Sequence, residues 1–533
     1  MSGNASTRGS AGSRSGGVAC GHPVTLDASL EVLRAGGNAF DAVTAGVWCA
    51  CVAEPLLASP GGGGFFLAVP ESGAPRVHDF FAHTPGVRVP LETEEFSEVL
   101  VDFGPADQPF HIGWGSVAVP GVVAGLFGLH REFGRMTPRE VMAPALAAAR
   151  DGVVVNDMQG FIASILAPIL TASPEVERLF APGGRPLSEG SLHRQPELAD
   201  FLEALSHEGE DLFYRGEVAA TIDELSRTGG GHIRRADLEG YQVEVRAPLE
   251  VEYRGHTIWS NPPPASGGLL VAFGLSLLAG LPPARNGATA GEAGPLELER
   301  TARVLDAMQD ARHAERLTEK LDRAAATRVL DEATLSRYRA RLKGHPRSSR
   351  GTTHVSVVDR DGNAAALSLS NGEGCGRAIP GTGMMLNNML GEADLQPSGF
   401  GRWPPDTRLT SMMAPTILRR GDGARLVALG SGGSNRIRSA ILQVLTGLLD
   451  DGLSLETAIS RPRLHVEGDR LEIEGGVEPE IAKELGAWWG EHRIWDAPNL
   501  FFGGVHAVEG DGNSVRGAGD PRRGGVAGVI GQG

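Results

Sequence analysis

The sequence predicts a layered α+β fold, and two patterns support this prediction. In the first half of the chain, stretches with apolar residues three and four positions apart end at glycines, as amphipathic helices do. In the second half, short stretches alternate between apolar and polar residues around turn residues, which is typical of β-hairpins. Strands are also predicted in the first half, so helices and sheets are expected to pack as layers of one unit.

The chain begins with a Gly/Ser-rich stretch, residues 1–17, which we expect to be a disordered tail. The segment "TLDASLEVLRAGGNAFDAVTAGVWCACVAEP" then has helical spacing interrupted by a Gly-Gly pair, which predicts two buried helices. A strand is predicted in "SPGGGGFFLAVP", with "RVHDFFAHTPG" as its hairpin partner. The four consecutive glycines permit close backbone approach, either to a ligand or another chain or within a tight helix-to-strand connection.

The middle of the chain is predicted to be mainly helical. Residues 120–240 contain amphipathic stretches that stop at glycines, among them "MTPREVMAPALAAARDG". Strands return in "EVEYRGHTIWSNPPP", and a long helical section follows over residues 299–342. The next stretch, "KGHPRSSRG", is basic, contains proline and is rich in small residues, so it is predicted to be an interior linker.

Hairpins are the main feature predicted beyond this linker. "THVSVVD" and "AAALSLS" alternate on either side of "RDGN", whose glycine suits the positive φ of a hairpin turn. "MMAPTILRRGDGARLVALGSGG" and "HVEGDRLEIEG" predict two further hairpins. We interpret "DRDG" as a turn and not as a calcium loop, because the later acidic positions of such a loop are missing.

Charge and composition exclude several classes of partner. Asp and Glu number 65 against 49 Lys and Arg, a net charge of −16, which argues against nucleic acid or an anionic membrane as a partner. No apolar run is long enough to span a membrane, and the first residues do not resemble a secretory signal, so a cytoplasmic protein is expected. Cys20, Cys49, Cys51 and Cys375 lack metal-ligand spacing and are predicted to be core thiols.

Familiar catalytic and nucleotide-binding motifs, such as the G-x-S-x-G elbow, the Walker A loop and H-E-x-x-H, are missing from the sequence. The stretch "RGTTHVSVVD" is the remaining candidate. A threonine hydroxyl needs a base beside it to act as a nucleophile, and its own α-amine, with a pKa of about 8, can serve. This chemistry requires Thr352 to become N-terminal through cleavage after Gly351, where the linker ends. The alternative is an ordinary strand start, since threonines favour strands.

A series of collinear segments decides between these alternatives. They are "HPVTLDASLEVLRAGGNAFDA", "EPLLASPGGGGFFL", "GSVAVPGVVAGL", "NPPPASGG", "TTHVSVVDRDGNAAALSLS", "GTGMMLNN", "LTSMMAPTI", "GSGGSNRI" and "GAGDPRRGG". With these segments in this order, the chain from about Val18 to Val529 resembles the γ-glutamyltranspeptidase (glutathione hydrolase) family of N-terminal nucleophile hydrolases. The resemblance implies a four-layer αββα sandwich made as a self-cleaving precursor. The large subunit would comprise residues 18–351 and the small subunit residues 352–533.

The resemblance also assigns the residues of the reaction. Cleavage would fall between Gly351 and Thr352, and Thr352 would be the nucleophile of both processing and catalysis, with Thr353 beside it in the processing site. Ser370 matches a family threonine that hydrogen-bonds near the nucleophile. Gly432 and Gly433 match the positions whose N–H groups form the family's oxyanion hole, where glycine leaves the donors unobstructed. The residues that match the family's substrate-binding positions are Asn371, with one residue deleted before it, Glu392, Thr410 and Ser411.

Two positions depart from the family pattern. Phe81 occupies the place of the arginine that binds the α-carboxylate of the γ-glutamyl group, and Met389 replaces a glutamine or glutamate that contacts the α-amine. Loss of an arginine–carboxylate pair in a closed site is expected to cost a few kcal/mol of binding, on the order of 2–5. Phe81 would favour an apolar or aromatic acyl group, unless His83 or another cation substitutes for the arginine.

These observations leave three functional hypotheses. The first is a self-processing amidohydrolase or acyltransferase that passes the acyl group of a small-molecule amide to water or an amine. Its substrate would be a γ-glutamyl amide such as glutathione, or another acyl amide as in cephalosporin-acylase-like or specialised-metabolite branches. The second is an unprocessed, non-catalytic scaffold. The third, phosphate binding through "PGGGG" and "GSGG", lacks the lysine and the strand–loop–helix context. No metal or organic cofactor is implied, because every reacting group is a protein group.

Overall fold

The computed structural model describes residues 16–102, 107–282, 293–317, 321–341, 352–396, 398–511 and 514–531, so the predicted linker and Gly351 lie outside the described residues. The helices are α1 Pro23–Arg34, α2 Ala39–Ala53, α3 Val122–Phe133, α4 Pro138–Asp151, α5 Asp157–Ile165, α6 Ala167–Leu170, α7 Pro174–Phe180, α8 Pro196–Glu208, α9 Asp211–Tyr214, α10 Glu217–Thr228, α11 Arg235–Glu239, α12 Ser266–Ala279, α13 Pro295–Ala314, α14 Arg323–Val329, α15 Glu332–Arg341, α16 Arg436–Leu449, α17 Leu455–Ser460 and α18 Pro479–Trp489. The strands are β1 Gly16–Cys20, β2 Gly63–Val69, β3 Arg76–Phe80, β4 Ser97–Asp102, β5 Asp107–Ile112, β6 Val153–Val154, β7 Leu192–His193, β8 Glu244–Arg246, β9 Leu249–Tyr253, β10 His256–Ser260, β11 Thr353–Val358, β12 Ala364–Ser370, β13 Ala378–Ile379, β14 Met384–Met385, β15 Thr416–Arg419, β16 Leu426–Gly432, β17 Leu464–Glu467, β18 Arg470–Ile473, β19 Glu491–Ile494, β20 Gly504–Gly510, β21 Val515–Ala518 and β22 Val526–Ile530.

Two antiparallel sheets form the centre of the molecule. The seven-stranded sheet has the order β22-β1-β11-β12-β2-β3-β8, and the six-stranded sheet has the order β21-β20-β16-β15-β10-β9. Each sheet combines strands from before and after residue 351. The two predicted subunits therefore contribute to the same sheets.

Helices pack against both sheets, and the sheets contact each other. Helix α2 contacts β11 and β12, α16 contacts β16, and β11 and β12 also contact β16 in the other sheet. All residues of α2 are buried, as its almost continuous apolar sequence requires. The observed architecture is a mixture of helices and sheets in contact, which agrees with the predicted α+β class.

Most of the predicted elements are confirmed. The Gly-Gly pair separates α1 from α2, and the predicted hairpins correspond to the antiparallel pairs β2–β3, β11–β12, β15–β16 and β17–β18. "DRDG" is a turn, since Asp359 Oδ1 accepts hydrogen bonds from the N–H groups of Asp361 and Asn363, both at 2.9 Å. The short-range pattern was sufficient in these regions because each element carries its own turn or cap residues.

Two boundaries differ from the prediction. Strand β1 begins at Gly16, inside the predicted tail, and pairs with β11 and β22; residues 1–15 lie outside the described residues. The long helical section over residues 299–342 consists of three helices, α13, α14 and α15. The break before α14 is marked by Asp322, whose side chain accepts a hydrogen bond from the N–H of Ala325. Helical periodicity continues across such a break, so the spacing alone did not reveal it.

The four-glycine segment serves close packing within the chain. A Cβ on Gly62 would lie 2.4 Å from the carbonyl oxygen of Ser370, and one on Gly63 would lie 2.7 Å from the backbone nitrogen of Ala82. Of the two alternatives for this segment, the structure favours the tight helix-to-strand connection. These contacts fix the end of β12, where a predicted site residue lies.

The remaining compositional expectations concern thiols and membranes. All four cysteines are buried and unpaired, which confirms their prediction as core thiols. Within the described ranges, none of the helices is long and apolar enough to cross a membrane. The same ranges contain no cluster of three or more side chains suited to holding a metal ion.

Candidate active site

Thr352 lies at the start of β11, next to the end of β12. Thr353 pairs with Leu369, and the same antiparallel register sets Thr352 opposite Ser370. Thr352 is only 5% exposed, and Ser370 is equally buried. The hairpin that the sequence predicts from "RDGN" therefore brings together the candidate nucleophile and the hydroxyl assigned beside it.

Thr352 lines a pocket together with most of the predicted site residues. The pocket is open to solvent on one side and has a cavity volume of about 40 Å³. The predicted residues in its lining are Thr352, Ser370, Glu392, Thr410, Ser411 and Phe81. These positions are up to 330 residues apart in the sequence, counting from Phe81 to Ser411, so the fold and not a local motif assembles them.

Gly432 is the last residue of β16 and lies against the backbone of Thr352, and Gly433 follows it. A Cβ on Gly432 would lie 2.0 Å from the carbonyl oxygen of Thr352, so no larger residue fits there without displacing main-chain atoms. Gly433 has a φ of +115°, a conformation that favours glycine. Helix α16 begins three residues later at Arg436, and the N-terminus of a helix stabilises nearby negative charge. Neither glycine is among the residues that line the pocket, and their role in stabilising an oxyanion stays a prediction.

Thr353 belongs to the opposite side of the strand from the pocket. Its Oγ1 donates a hydrogen bond of 2.9 Å to Oε2 of Glu54, a carboxylate at the end of α2 that is only 2% exposed. Burial raises the pKa of Glu54 to about 7, an effect that the hydrogen bonds from Thr353 and Thr25 partly offset. The sequence analysis missed Glu54, although an acidic residue at the end of an almost wholly apolar helix was a signal.

Ser370 and Asn371 have different surroundings despite their adjacency. Ser370 Oγ accepts a hydrogen bond of 2.9 Å from the N–H of Gly372, which orders the turn after β12. Asn371 is fully buried, and its Nδ2 donates to the carbonyl oxygens of Met385 and Leu386 at 3.3 and 3.5 Å. It is not part of the pocket lining, so the structure gives Asn371 a scaffold contact, and its role in substrate binding stays a prediction.

Thr410 and Ser411 connect the pocket wall to the start of α12. Thr410 Oγ1 donates to the carbonyl oxygen of Pro264 at 2.9 Å, and Ser411 Oγ accepts from the N–H of Met413 at 3.1 Å. The carbonyl oxygen of Ser411 also accepts from the N–H of Ser266 at 2.9 Å. These bonds fix the two hydroxyl groups at the pocket surface, where they can contact a polar substrate group.

Phe81 forms an aromatic part of the pocket wall. Its ring stacks on Phe65, with 5.3 Å between ring centroids and 20° between the planes, and only 2% of the residue is exposed. Met389 also lines the pocket, so both departures from the family pattern lie at the ligand surface. This side of the pocket is therefore apolar where the resemblance implies an arginine and an amide or carboxylate.

The nearest cations to Phe81 do not take over the missing arginine's position. Arg408 donates to the carbonyl oxygen of Phe81, to Tyr241 Oη at 2.6 Å and to the carbonyl oxygen of Gln242 at 2.7 Å. Its Nε also lies 3.5 Å from Asp79 Oδ1. His83 lies outside the pocket lining, and its burial and the nearby Arg408 lower its pKa.

Arg312 and Asp394 are charged lining residues that sequence analysis missed. Arg312 comes from α13 and is 5% exposed. Leu305, Met308 and Arg312 are spaced by three and four residues and are all buried, so an arginine within an apolar helical stripe was the available signal. The sequence pattern identified the helix but not the pocket that it faces.

Comparisons with known proteins agree on one family. The family model described as "Gamma-glutamyltranspeptidase" matches residues 26–530. The acylase ACY 1 proenzyme of Pseudomonas sp. (strain SE83) is 31% identical over 93% of this chain and 90% of its own length. The glutathione hydrolase proenzyme of Escherichia coli (strain K12) is 29% identical over 96% of this chain and 90% of its own length.

A structural comparison extends this agreement to the fold. The crystal structure of a cephalosporin acylase from Bacillus halodurans superposes with a TM-score of 0.83 and covers 99% of this chain and 98% of its own. At 22% identity, this match concerns the fold alone. The relatives found by sequence are hydrolases and acylases made as proenzymes, which confirms the class of enzyme predicted from the collinear segments.

Proposed function

The chain belongs to the gamma-glutamyltranspeptidase family, and we propose that it is a self-processing amidohydrolase or acyltransferase with Thr352 as its nucleophile. One observation carries this proposal: Thr352, next to a glycine loop at a helix N-terminus, lines the same pocket as Ser370, Glu392 and Ser411. Acyl transfer needs a nucleophile, a segment that stabilises the oxyanion of the tetrahedral intermediate, and polar groups that hold the substrate. The two contacting sheets with helices packed on them support assignment to the four-layer sandwich of N-terminal nucleophile hydrolases.

The first reaction in this proposal is the cleavage of the chain by itself. Thr352 Oγ attacks the carbonyl carbon of Gly351, the C–N bond breaks, and the acyl group moves from nitrogen to oxygen as an ester. Water then hydrolyses the ester, which leaves a carboxylate on Gly351 and frees both the hydroxyl and the α-amine of Thr352. The burial of Thr352 supports this step because it restricts the orientation of the hydroxyl relative to the peptide bond.

The second reaction is turnover of an amide substrate. Thr352 Oγ attacks the substrate carbonyl carbon while its proton passes to the freed α-amine, and the N–H groups of the Gly432–Gly433 loop stabilise the oxyanion. The C–N bond then breaks, and the α-amine returns the proton to the leaving amine. Water or an acceptor amine attacks the threonyl ester and releases the acyl product. No cofactor is needed, because all the steps are proton and acyl transfers between protein groups and substrate.

The acyl group of this substrate is either γ-glutamyl or a related acyl group that lacks the α-amino and α-carboxyl groups of glutamate. Glu392, Thr410 and Ser411 in the lining support a γ-glutamyl amide such as glutathione. Phe81 and Met389 support the second candidate, an acylase for a non-glutamyl amide, because they present apolar surface where the glutamyl contacts are expected. The proenzyme relatives include both kinds of enzyme.

Intact-mass measurement tests the proposed nucleophile. The wild-type protein is expected to separate into two fragments that meet at Gly351–Thr352, whereas Thr352→Ala remains one chain with no anilide hydrolysis above background. Thr352→Ser is the matched control, because it keeps a hydroxyl and is expected to cleave. A wild-type chain that stays whole would contradict the proposal and favour a non-catalytic scaffold.

A substrate panel separates the two acyl candidates. Processed enzyme is assayed with γ-glutamyl, glutaryl and phenylacetyl anilides, which share a leaving group and differ in the acyl part. A preference for the γ-glutamyl anilide supports a glutathione-hydrolase-type activity. Equal or faster hydrolysis of the other two would exclude that preference and support the acylase.

A further inference from the structure

Arg312 is a buried arginine at the pocket that has few partners of its own. Its Nη1 donates one hydrogen bond, of 3.1 Å, to the neutral Oδ1 of Asn435. Its Nε has no hydrogen-bond partner among the described residues, and Glu467 is a carboxylate that interacts with it electrostatically. A guanidinium carries five N–H donors, and burying them without acceptors is costly. A ligand that supplies a carboxylate would satisfy this group.

Both arginines and carboxylates surround Arg312. Arg436 and Arg438 lie in the same region, and the carboxylates that act on them are Glu467 and Asp394. Asn435 Nδ2 donates to both carboxylates, at 3.0 Å to Glu467 and 3.3 Å to Asp394. Burial lowers the pKa of Arg438 to about 10, and Arg312 contributes in the same direction. Arg312 thus lies in a region of mixed charge, in which Glu467 acts on all three arginines.

The position of Arg312 relative to α16 favours a bound anion. Its hydrogen-bond partner Asn435 directly precedes α16, and Ser434, one residue earlier, lines the pocket. An anion held by Arg312 would therefore lie near the positive end of a helix of 14 residues. Glu392 and Asp394 also line the pocket, so the carboxylate must lie toward Arg312 and away from these two acids.

The other candidate cations are not available to bind an acidic group in this pocket. Phe81 replaces the arginine implied by the resemblance, and the guanidinium of Arg408 is engaged by Phe81, Tyr241 and Gln242. Among the lining residues that the structure describes, Arg312 is the one lysine or arginine. An arginine on α13 can consequently form charge-assisted, bidentate hydrogen bonds with an acidic acyl group, whereas Phe81 cannot.

We propose that Arg312 binds a carboxylate carried by the acyl group, so that this enzyme takes amides of acidic acyl groups and recognises the acid from α13. This proposal rests on the function proposed above and names the residue that selects the substrate. Arg312 acts in binding and not in the chemical steps, since no proton or acyl transfer passes through it.

A matched pair of substrates tests this proposal. Processed wild type, Arg312→Gln and Arg312→Lys are assayed with glutaryl anilide and with its monomethyl ester, which has the same chain but no charge. Wild type is expected to prefer the acid at least tenfold in kcat/KM. Arg312→Gln is expected to lose about 100-fold on the acid, mainly through KM, and less than threefold on the ester. Arg312→Lys should recover part of the kcat/KM lost on the acid, because lysine keeps the positive charge but cannot form the bidentate hydrogen bonds of a guanidinium.

Two controls keep this test independent of folding. Arg303→Gln changes an arginine on the same helix that pairs with Glu299 and lies over Trp488, outside the pocket lining, and should leave both substrates unaffected. Inhibition by free glutarate provides a second measurement, and its inhibition constant should rise in Arg312→Gln but not in Arg303→Gln. Equal losses on acid and ester, or an unchanged inhibition constant, would overturn the proposal.

The test also distinguishes failure of this proposal from failure of the proposed function. If the wild type splits at Gly351–Thr352 and hydrolyses the ester at least as fast as the acid, Arg312 is not an acid anchor, while the threonine mechanism stands. If the wild type remains whole and hydrolyses neither anilide, both proposals are wrong.

Discussion

The two sides of the pocket differ in how their residues are held. On the nucleophile side, Thr352, Ser370 and Gly432 are strand ends whose positions follow from backbone pairing and close main-chain contact. On the acyl side, Phe81 and Arg312 are side chains brought in from a distant strand end and a distant helix. Under the proposed function, the reacting groups are therefore positioned by backbone geometry, whereas substrate choice would depend on side chains that can change without altering that geometry.

The largest effect is expected at the backbone contact on the nucleophile side. In Gly432→Ala the added Cβ would meet the carbonyl oxygen of Thr352 at 2.0 Å and its carbonyl carbon at 3.0 Å. Neither main-chain atom can yield without moving Thr352 or the end of β16. Self-cleavage and anilide hydrolysis are each expected to fall by at least about 100-fold, measured by intact mass and by kcat/KM.

Gly128→Ala is the control for this prediction. Gly128 lies on α3, where an added Cβ would meet its nearest neighbour at 3.8 Å, so this variant should cleave and turn over normally. Unimpaired cleavage in Gly432→Ala would show that the glycine contact does not position Thr352.

The same contrast explains which parts could be predicted from sequence. The hairpin around "RDGN" carries its own turn signal, so Thr352 could be placed at the start of a strand from local residues, whereas Ser370 and Gly432 were assigned through the resemblance. The helix containing Arg312 was also recognisable from its spacing. That spacing specifies a buried face but not which pocket the face meets, because the partner residues come from other parts of the chain.

Glu54 illustrates this limit, and Asn371 shows what the sequence left for the structure to describe. Glu54 was missed because its partner Thr353 is 299 residues away, and only the folded structure places them at 2.9 Å. Asn371 was assigned to the substrate through the resemblance. Its Nδ2 donates to the carbonyl oxygens of Met385 and Leu386, and its role in substrate binding stays a prediction.

The free energy of unfolding is expected to depend on pH through Glu54, which accepts a hydrogen bond from Thr353 beside the candidate nucleophile. Its pKa is raised to about 7 in the folded protein from 4.5 in the unfolded chain, so the folded state holds the proton more tightly. The stability of the wild type should therefore fall, relative to Glu54→Gln, as pH rises from about 4.5 to 7, and the difference should be constant above 8. The expected total is about 3 kcal/mol of unfolding free energy.

Denaturant unfolding of both proteins at pH 5, 6, 7 and 8 measures this difference. Glu31→Gln, at an exposed position on α1, is the control and should show no such trend. A pH-independent difference between wild type and Glu54→Gln would mean that the carboxyl group does not titrate in this range. Packing and backbone hydrogen bonds would then hold the nucleophile side in place, without a contribution from the ionisation of Glu54.

The smallest effect is expected on the acyl side, from Phe81→Leu. This change removes the stack on Phe65 and part of the aromatic wall, but it touches none of the backbone contacts that hold Thr352. Aromatic pairs contribute about 0.5–1.5 kcal/mol beyond their buried area, so kcat/KM for phenylacetyl anilide should fall about threefold relative to glutaryl anilide. Phe65→Leu, which removes the same stack from outside the lining, should lower stability without shifting this ratio. If Phe81→Leu instead impaired self-cleavage, the two sides of the pocket would not be separable, because a side chain chosen for the substrate would also position the nucleophile.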